Sequence, residues 1–294
     1  MRAPSAEMHP VQTSAKSVLM ISNNAASIGN DDIVLEEAEL DLFREPDSFR
    51  PKTPPPSYTT YLRIPDHVQQ GTPSRFELRL IRPHSLWAHM LWNAGIVLAR
   101  FLDHHKAKCL NKTVLELGAA AALPTFVAAI NGCKLAVATD YPEQYLIENI
   151  EYNTRVNLPA YLDKGVIKVM GHLWGDHVEP LLSELKPFTA SHSEIPKFDL
   201  VILADVVFNH SQHTQLLKTV KSTLCPHNGI AYVSFSHHKP HLAHKDLHFF
   251  ELAQQEPFNF KVTKLFEEKL KPMFEVDRGD PAVRATVHVY TMQL

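Results

Sequence analysis

Cysteine is scarce in this chain, and the little there is does not pair. Cys109, Cys133 and Cys225 lie far apart with no paired spacing, which speaks against a disulfide framework or a structural zinc site and points to a reducing, cytoplasmic setting. Long apolar runs are lacking too: the most apolar stretch, Ala119 to Ile130, is too short for a membrane span and contains Pro124. A large charge of one sign is also absent. With 29 Lys and Arg against 32 Asp and Glu, the formal net charge is -3, so no global basic field draws the chain to nucleic acid or to an anionic membrane. What remains is 294 residues, 45% hydrophobic and 21% charged, which suits a globular protein with a sizeable core.

The first 30 residues are small and polar and are expected to be disordered. Their one apolar island, "VLMI", is too short for a secretory signal, although a serine-rich, acid-poor start also suits a mitochondrial transit peptide as the minor alternative. An acidic segment, "DDIVLEEAELDLFREPDSF", and a proline run, "RPKTPPPS", follow. A solvated face and a stiff connector account for both; the sharper reading is a flap that covers a site and repels anionic competitors. The expected plan is therefore a disordered extension over 1–30, an acidic and proline-rich flap over 31–75, and one folded domain over 76–294.

From Thr113 onward, strand-like runs alternate with segments of helical spacing. "TVLEL", "LAVATD", "VIKVMGHL", "FDLVILADVV" and "GIAYVSFS" read as five strands. Helical crossovers between them imply a parallel sheet covered on both faces. The end of the chain differs: "FNFKVTKLFEE" and "RATVHVYTMQL" are joined by a loop without helical period and should pair antiparallel as a closing hairpin.

The stretch "TVLELGAAAALPT" has the strand, loop, helix order of a nucleotide-cofactor site, yet Ala120 and Ala122 stand where such loops carry glycine. A plain parallel-sheet turn explains the loop alone equally well. If the backbone there keeps negative φ, alanine is tolerated, and the expectation is a working site of reduced affinity. The second strand ends in Asp140, 22 residues beyond Gly118, about the spacing at which a carboxylate reaches the vicinal hydroxyls of a bound ribose. A helix N-cap before Pro142 is the competing role for that acid.

An α/β sheet of parallel strands ended by a hairpin resembles the seven-stranded, Rossmann-like fold of S-adenosylmethionine-dependent methyltransferases. The motifs "FREPDSFRPKTPPPSYTTY", "HSLWAHMLWNAGIVLARFL", "ATDYP", "LIENIEYN", "GHLWG", "ADVVFNHSQH" and "KPMFEVDRGDPAVRATVHVYTM" are similar to those of the fungal N-terminal and lysine methyltransferases that modify translation elongation factor 1-alpha. The resemblance implies S-adenosylmethionine as cofactor, held by Trp92, Gly118, Ala119, Ala120, Asp140, Trp174 and the backbone of Ala204. It also makes "DVVF" an acidic-x-x-aromatic signature, with Asp205, Phe208 and, more weakly, Asn209 on the substrate side. The aromatic wall would come from Phe208, Trp92 or the segment Tyr58 to Tyr61, while Trp87 is left to the core. A protein substrate, the elongation factor, follows from the same likeness; no nucleic acid or membrane partner is expected from the charge and hydropathy, no metal is expected, and the enzyme is expected to be a monomer. Two other readings stay open at this point: a small-molecule amine methyltransferase of nicotinamide type, and a catalytically weakened scaffold.

Eighteen histidines, five of them in "SHHKPHLAHKDLH", invite a metal reading. No carboxylate or cysteine set accompanies them at a recognisable ligand spacing. A polar loop leading into a helix, at the rim of a substrate entrance, is the expected role.

Overall fold

The computed structural model describes residues 55–81, 90–188, 196–273 and 278–294, all within one unit, Lys52–Leu294. The stretch 1–30, the acidic segment, most of the proline run and Trp87 lie outside the described residues.

The described chain opens with an antiparallel hairpin, β1 (Ser57–Leu62) and β2 (Arg75–Leu80). The boundary expected after residue 75 thus runs through this hairpin. Helix α1 (Asn93–His104) then leads into β3 (Thr113–Leu117), α2 (Leu123–Ile130), β4 (Leu135–Asp140), α3 (Gln144–Asn157), α4 (Pro159–Asp163) and β5 (Ile167–Gly171). The second half runs α5 (Glu179–Ser183), β6 (Leu200–Ala204), α6 (His213–Thr223), β7 (Ile230–Ser236), α7 (Ala243–Gln254), β8 (Lys261–Lys269), α8 (Pro281–Ala285) and β9 (Thr286–Gln293). The seven-stranded sheet has the order β5-β4-β3-β6-β7-β9-β8. Its first five strands are parallel, and β9 pairs antiparallel with both β7 and β8. The closing hairpin is as expected from the sequence; its connection differs, because Pro281 starts α8 and the Asp280 carboxylate caps it by accepting from the Ala282 amide at 2.8 Å.

Every residue of β3 is buried, as a central strand covered on both faces requires. Alternate side chains point to opposite faces, so Val114 joins one apolar cluster with α1, α2 and the first hairpin, while Leu115 and Leu117 join another with α6 and α7. The hairpin is fixed by asparagines at helical spacing. Asn157 exchanges two 2.8 Å bonds with the backbone of Glu77, and Asn153 accepts from the Arg79 amide at 2.8 Å and donates to its carbonyl at 3.0 Å. Side chains of α3 thereby satisfy the backbone edge of β2 as another strand would. On the opposite side, Arg63 and Asp103 form a buried bidentate pair at 2.9 and 2.8 Å, tying the end of the hairpin to α1.

Candidate functional site

The sheet order reverses at β3, whose neighbours β4 and β6 lie on its two sides. Ligands of open α/β sheets bind beyond the carboxyl ends of the strands at such a point. A cavity of 520 Å³ lies there, lined by ten of the residues singled out from the sequence: Trp92, Gly118, Ala119, Ala120, Asp140, Trp174, Ala204, Asp205, Phe208 and Asn209.

The loop after β3 is drawn toward β4. Gly118 and Ala119 donate to the Thr139 carbonyl at 2.9 and 2.8 Å, and Ala120 donates to the Asp140 carboxylate at 2.8 Å. The other Asp140 oxygen accepts from the Tyr141 amide at 2.8 Å. Burial raises the Asp140 pKa, and these two backbone bonds oppose the rise. Asp140 does not cap α3, which begins at Gln144 with Glu143 in the cap position.

Gly118 has φ 76, and a Cβ there would meet Val206 at 2.7 Å and the Trp174 ring at 3.3 Å. Glycine is therefore required by both conformation and space. The alanines overturn the expectation of negative φ: Ala120 sits at 48 and Ala122 at 61. Both hold the left-handed conformation glycine normally supplies, at a cost of roughly 1–2 kcal/mol each. The loop keeps the shape of a glycine loop without the residues that make it easy. Behind it, Glu116 is fully enclosed and accepts from the Thr125 amide at 3.0 Å and hydroxyl at 2.5 Å. Its burial pushes the carboxyl up to about 8, against the lowering effect of the Thr125 bonds.

On the facing wall, Asp205 follows β6 with φ 57, again left-handed and without glycine. Both of its oxygens lie 2.9 Å from Nε2 of His238, whose ring meets that of Trp92 at 4.8 Å between centroids. Phe208 is 37% exposed at the rim. Tyr61 and Tyr58 do not line the cavity: Tyr61 is buried, stacked with Phe76, and Tyr58 projects from the hairpin into solvent.

A family model described as lysine methyltransferase matches residues 84–256. The protein N-terminal and lysine N-methyltransferase of Schizosaccharomyces pombe is 43% identical over 255 residues, covering 86% of this chain and 94% of the relative. That of Candida glabrata is 44% identical over 255 residues, covering 86% and 95%. The chain belongs to the protein N-terminal and lysine N-methyltransferases. It is an S-adenosylmethionine-dependent enzyme, and its cavity fits that cofactor: an acid stands at the end of β4, a cradle after β3 excludes a Cβ, and two tryptophans offer aromatic surface to an adenine and a sulfonium.

Within this N-methyltransferase the histidine run is not a plain polar rim. His237 is buried with Nδ1 2.7 Å from Asp246, whose other oxygen is 2.6 Å from Nε2 of His210; His248 pairs with Glu251 within α7 at 2.9 Å. No cluster of three metal-ligating side chains occurs among the described residues, nor is any helix there long and apolar enough to cross a membrane. Sequence reasoning missed Glu116 and His238. The first was hidden as one letter of a strand, and the second acquires its partner only through a contact spanning 33 residues.

Proposed function

We propose that this enzyme methylates the N-terminal α-amine and a nearby lysine of translation elongation factor 1-alpha, acting as a monomer in the cytoplasm. One observation carries the reading toward a cationic amine: Asp140, Glu143 and Asp205 line the cavity beside Glu116, whose buried carboxyl keeps its proton at neutral pH, and no lysine or arginine does so among the described residues. Such a wall favours cations on both sides of the reaction and disfavours anionic substrates.

When bound, S-adenosylmethionine supplies the activated methyl and the sulfur leaving group. In this reading Asp140 accepts from the ribose hydroxyls, Gly118, Ala119 and Ala120 cradle the amino-acid end, and Trp92, Trp174 and the Ala204 backbone bound the remainder. Asp205 orients the incoming ammonium, with Asn209 beside it, and Phe208 offers a π face that tolerates the growing alkylammonium. Deprotonation separates the two targets. A lysine near 10.4 costs about 4.6 kcal/mol to deprotonate at pH 7, an α-amine near 7.8 only about 1.1. The α-amine is the easier nucleophile, and the lysine depends more on desolvation and alignment.

The test sets cofactor affinity against turnover in one preparation. Asp205→Ala should leave S-adenosylhomocysteine binding within about threefold and depress methylation of purified elongation factor at least tenfold, read by mass spectrometry at the N-terminus and at lysines. A parallel loss of both would put Asp205 with the cofactor. Transfer to nicotinamide instead of the intact factor would replace the protein-substrate reading with a small-molecule one.

A further inference from the structure

We propose that His238 is a positioning residue: packed against the Trp92 ring, it holds the Asp205 carboxylate at the substrate end of the cavity, and it sets the charge that Asp205 presents to an amine. The inference rests on the reading of Asp205 as the substrate-side acid.

His238 does not itself line the cavity. It stands behind two residues that do, and these come from different elements. Trp92 precedes α1, Asp205 follows β6, and His238 follows β7, its amide donating to the Ser236 carbonyl at 2.9 Å. A single imidazole thus joins three elements at one end of the cavity. Its Nε2 is equidistant, at 2.9 Å, from both Asp205 oxygens, a geometry in which the N–H donates into the carboxylate whether the ring is charged or neutral. The left-handed backbone of Asp205 is a conformation that aspartate adopts more readily than most non-glycine residues and that local contacts hold in place. The charge-assisted contact with His238 is the fixing interaction at the side-chain end.

Among the described residues, two charged groups act on His238. Asp205 faces it from β6 and Asp246 acts from α7; Asp246 is already engaged by His210 and by the adjacent His237. Burial by itself would lower the His238 pKa, but the two carboxylates, Asp205 foremost, outweigh it and the value is raised. While His238 carries its second proton the pair with Asp205 is close to neutral. Once that proton leaves, the remaining N–H still braces the carboxylate and the pair carries a full negative charge. An ammonium-bearing tail is attracted only by the second form.

His238→Gln retains an N–H donor and removes the titration. The ratio of kcat/KM for the parent to that for His238→Gln, taken across pH 6 to 9.5 on elongation factor 1-alpha, cancels the ionisation of the substrate amine and of every other shared group. The expected ratio rises at least fivefold through one ionisation above the usual histidine range, while S-adenosylhomocysteine affinity of the variant stays within threefold of the parent. His238→Asn serves the same comparison should the glutamine variant fail to fold. A ratio flat with pH overturns the inference, provided Asp205→Asn still lowers kcat/KM. Should Asp205→Asn leave methylation untouched, the reading of Asp205 itself fails, and the inference about His238 falls with it.

Discussion

The amide of Ala120 donates to the carboxylate of Asp140 at 2.8 Å, binding the loop after β3 to the end of β4. The same acid that suits a ribose diol therefore braces the loop that would cradle the rest of the cofactor. Asp140→Ala is expected to weaken S-adenosylmethionine binding more than tenfold in a chain that remains folded. Asp140→Asn, which can still accept from Ala120, should retain part of the affinity. Calorimetry on the folded variants decides: unchanged binding in both would reduce Asp140 to a brace alone.

The two loop alanines lead to an expectation opposite to the one their residue type invites. Alanine ordinarily stabilises relative to glycine by limiting the unfolded chain, by about 0.4–1 kcal/mol. At φ 48, Ala120 incurs left-handed strain of roughly 1–2 kcal/mol instead. Ala120→Gly should therefore raise Tm by about 1–3 °C, since a kilocalorie is worth roughly 2–4 °C in a domain of this size. Ala122 has the same strain at φ 61 but is fully buried, and removing its methyl costs about 0.8 kcal/mol, so Ala122→Gly should leave Tm within about 1 °C. A Tm lowered by both substitutions would show that the loop relaxes out of the left-handed region.

The parallel strands were legible because β-branched and leucine runs bounded by turn residues have little alternative in a covered sheet. The spacing from Gly118 to Asp140 then located the cavity, since topology brings the ends of adjacent parallel strands together wherever such a sheet reverses its order. What escaped was of two physical kinds. One is backbone sign: nothing in "GAAAA" distinguishes left-handed from right-handed alanine, because the strain is imposed by the packing of Gly118 on Val206 and Trp174 and by the pull of Asp140. The other is pairing over distance. Arg63 with Asp103, Asn153 with Arg79 and His238 with Asp205 join positions 40, 74 and 33 residues apart, and their partners become definite only after the sheet order is known. The "LIENIEYN" motif shows this well: its asparagines are a helix face by spacing, and strand-edge acceptors and donors only in the fold.

Glu116 supplies the last prediction, through the pH dependence of stability. Its carboxyl is pushed up to about 8 chiefly by burial, while in the unfolded chain it titrates at the ordinary value of about 4.3. Between those two values the folded state keeps a proton that the unfolded state has released. Folded stability must therefore fall as pH rises from about 4.3 toward 8, and level off above. Glu116→Gln removes that slope while its amide oxygen still accepts from the Thr125 amide and hydroxyl. The Tm of the variant minus that of the parent should accordingly grow by at least about 3 °C between pH 5 and pH 8, at roughly 2–4 °C per kcal/mol, as read by thermal denaturation in matched buffers. A difference independent of pH would mean that Glu116 is ionised in the native enzyme throughout this range, and that the loop beside it is built around a charge instead of a proton.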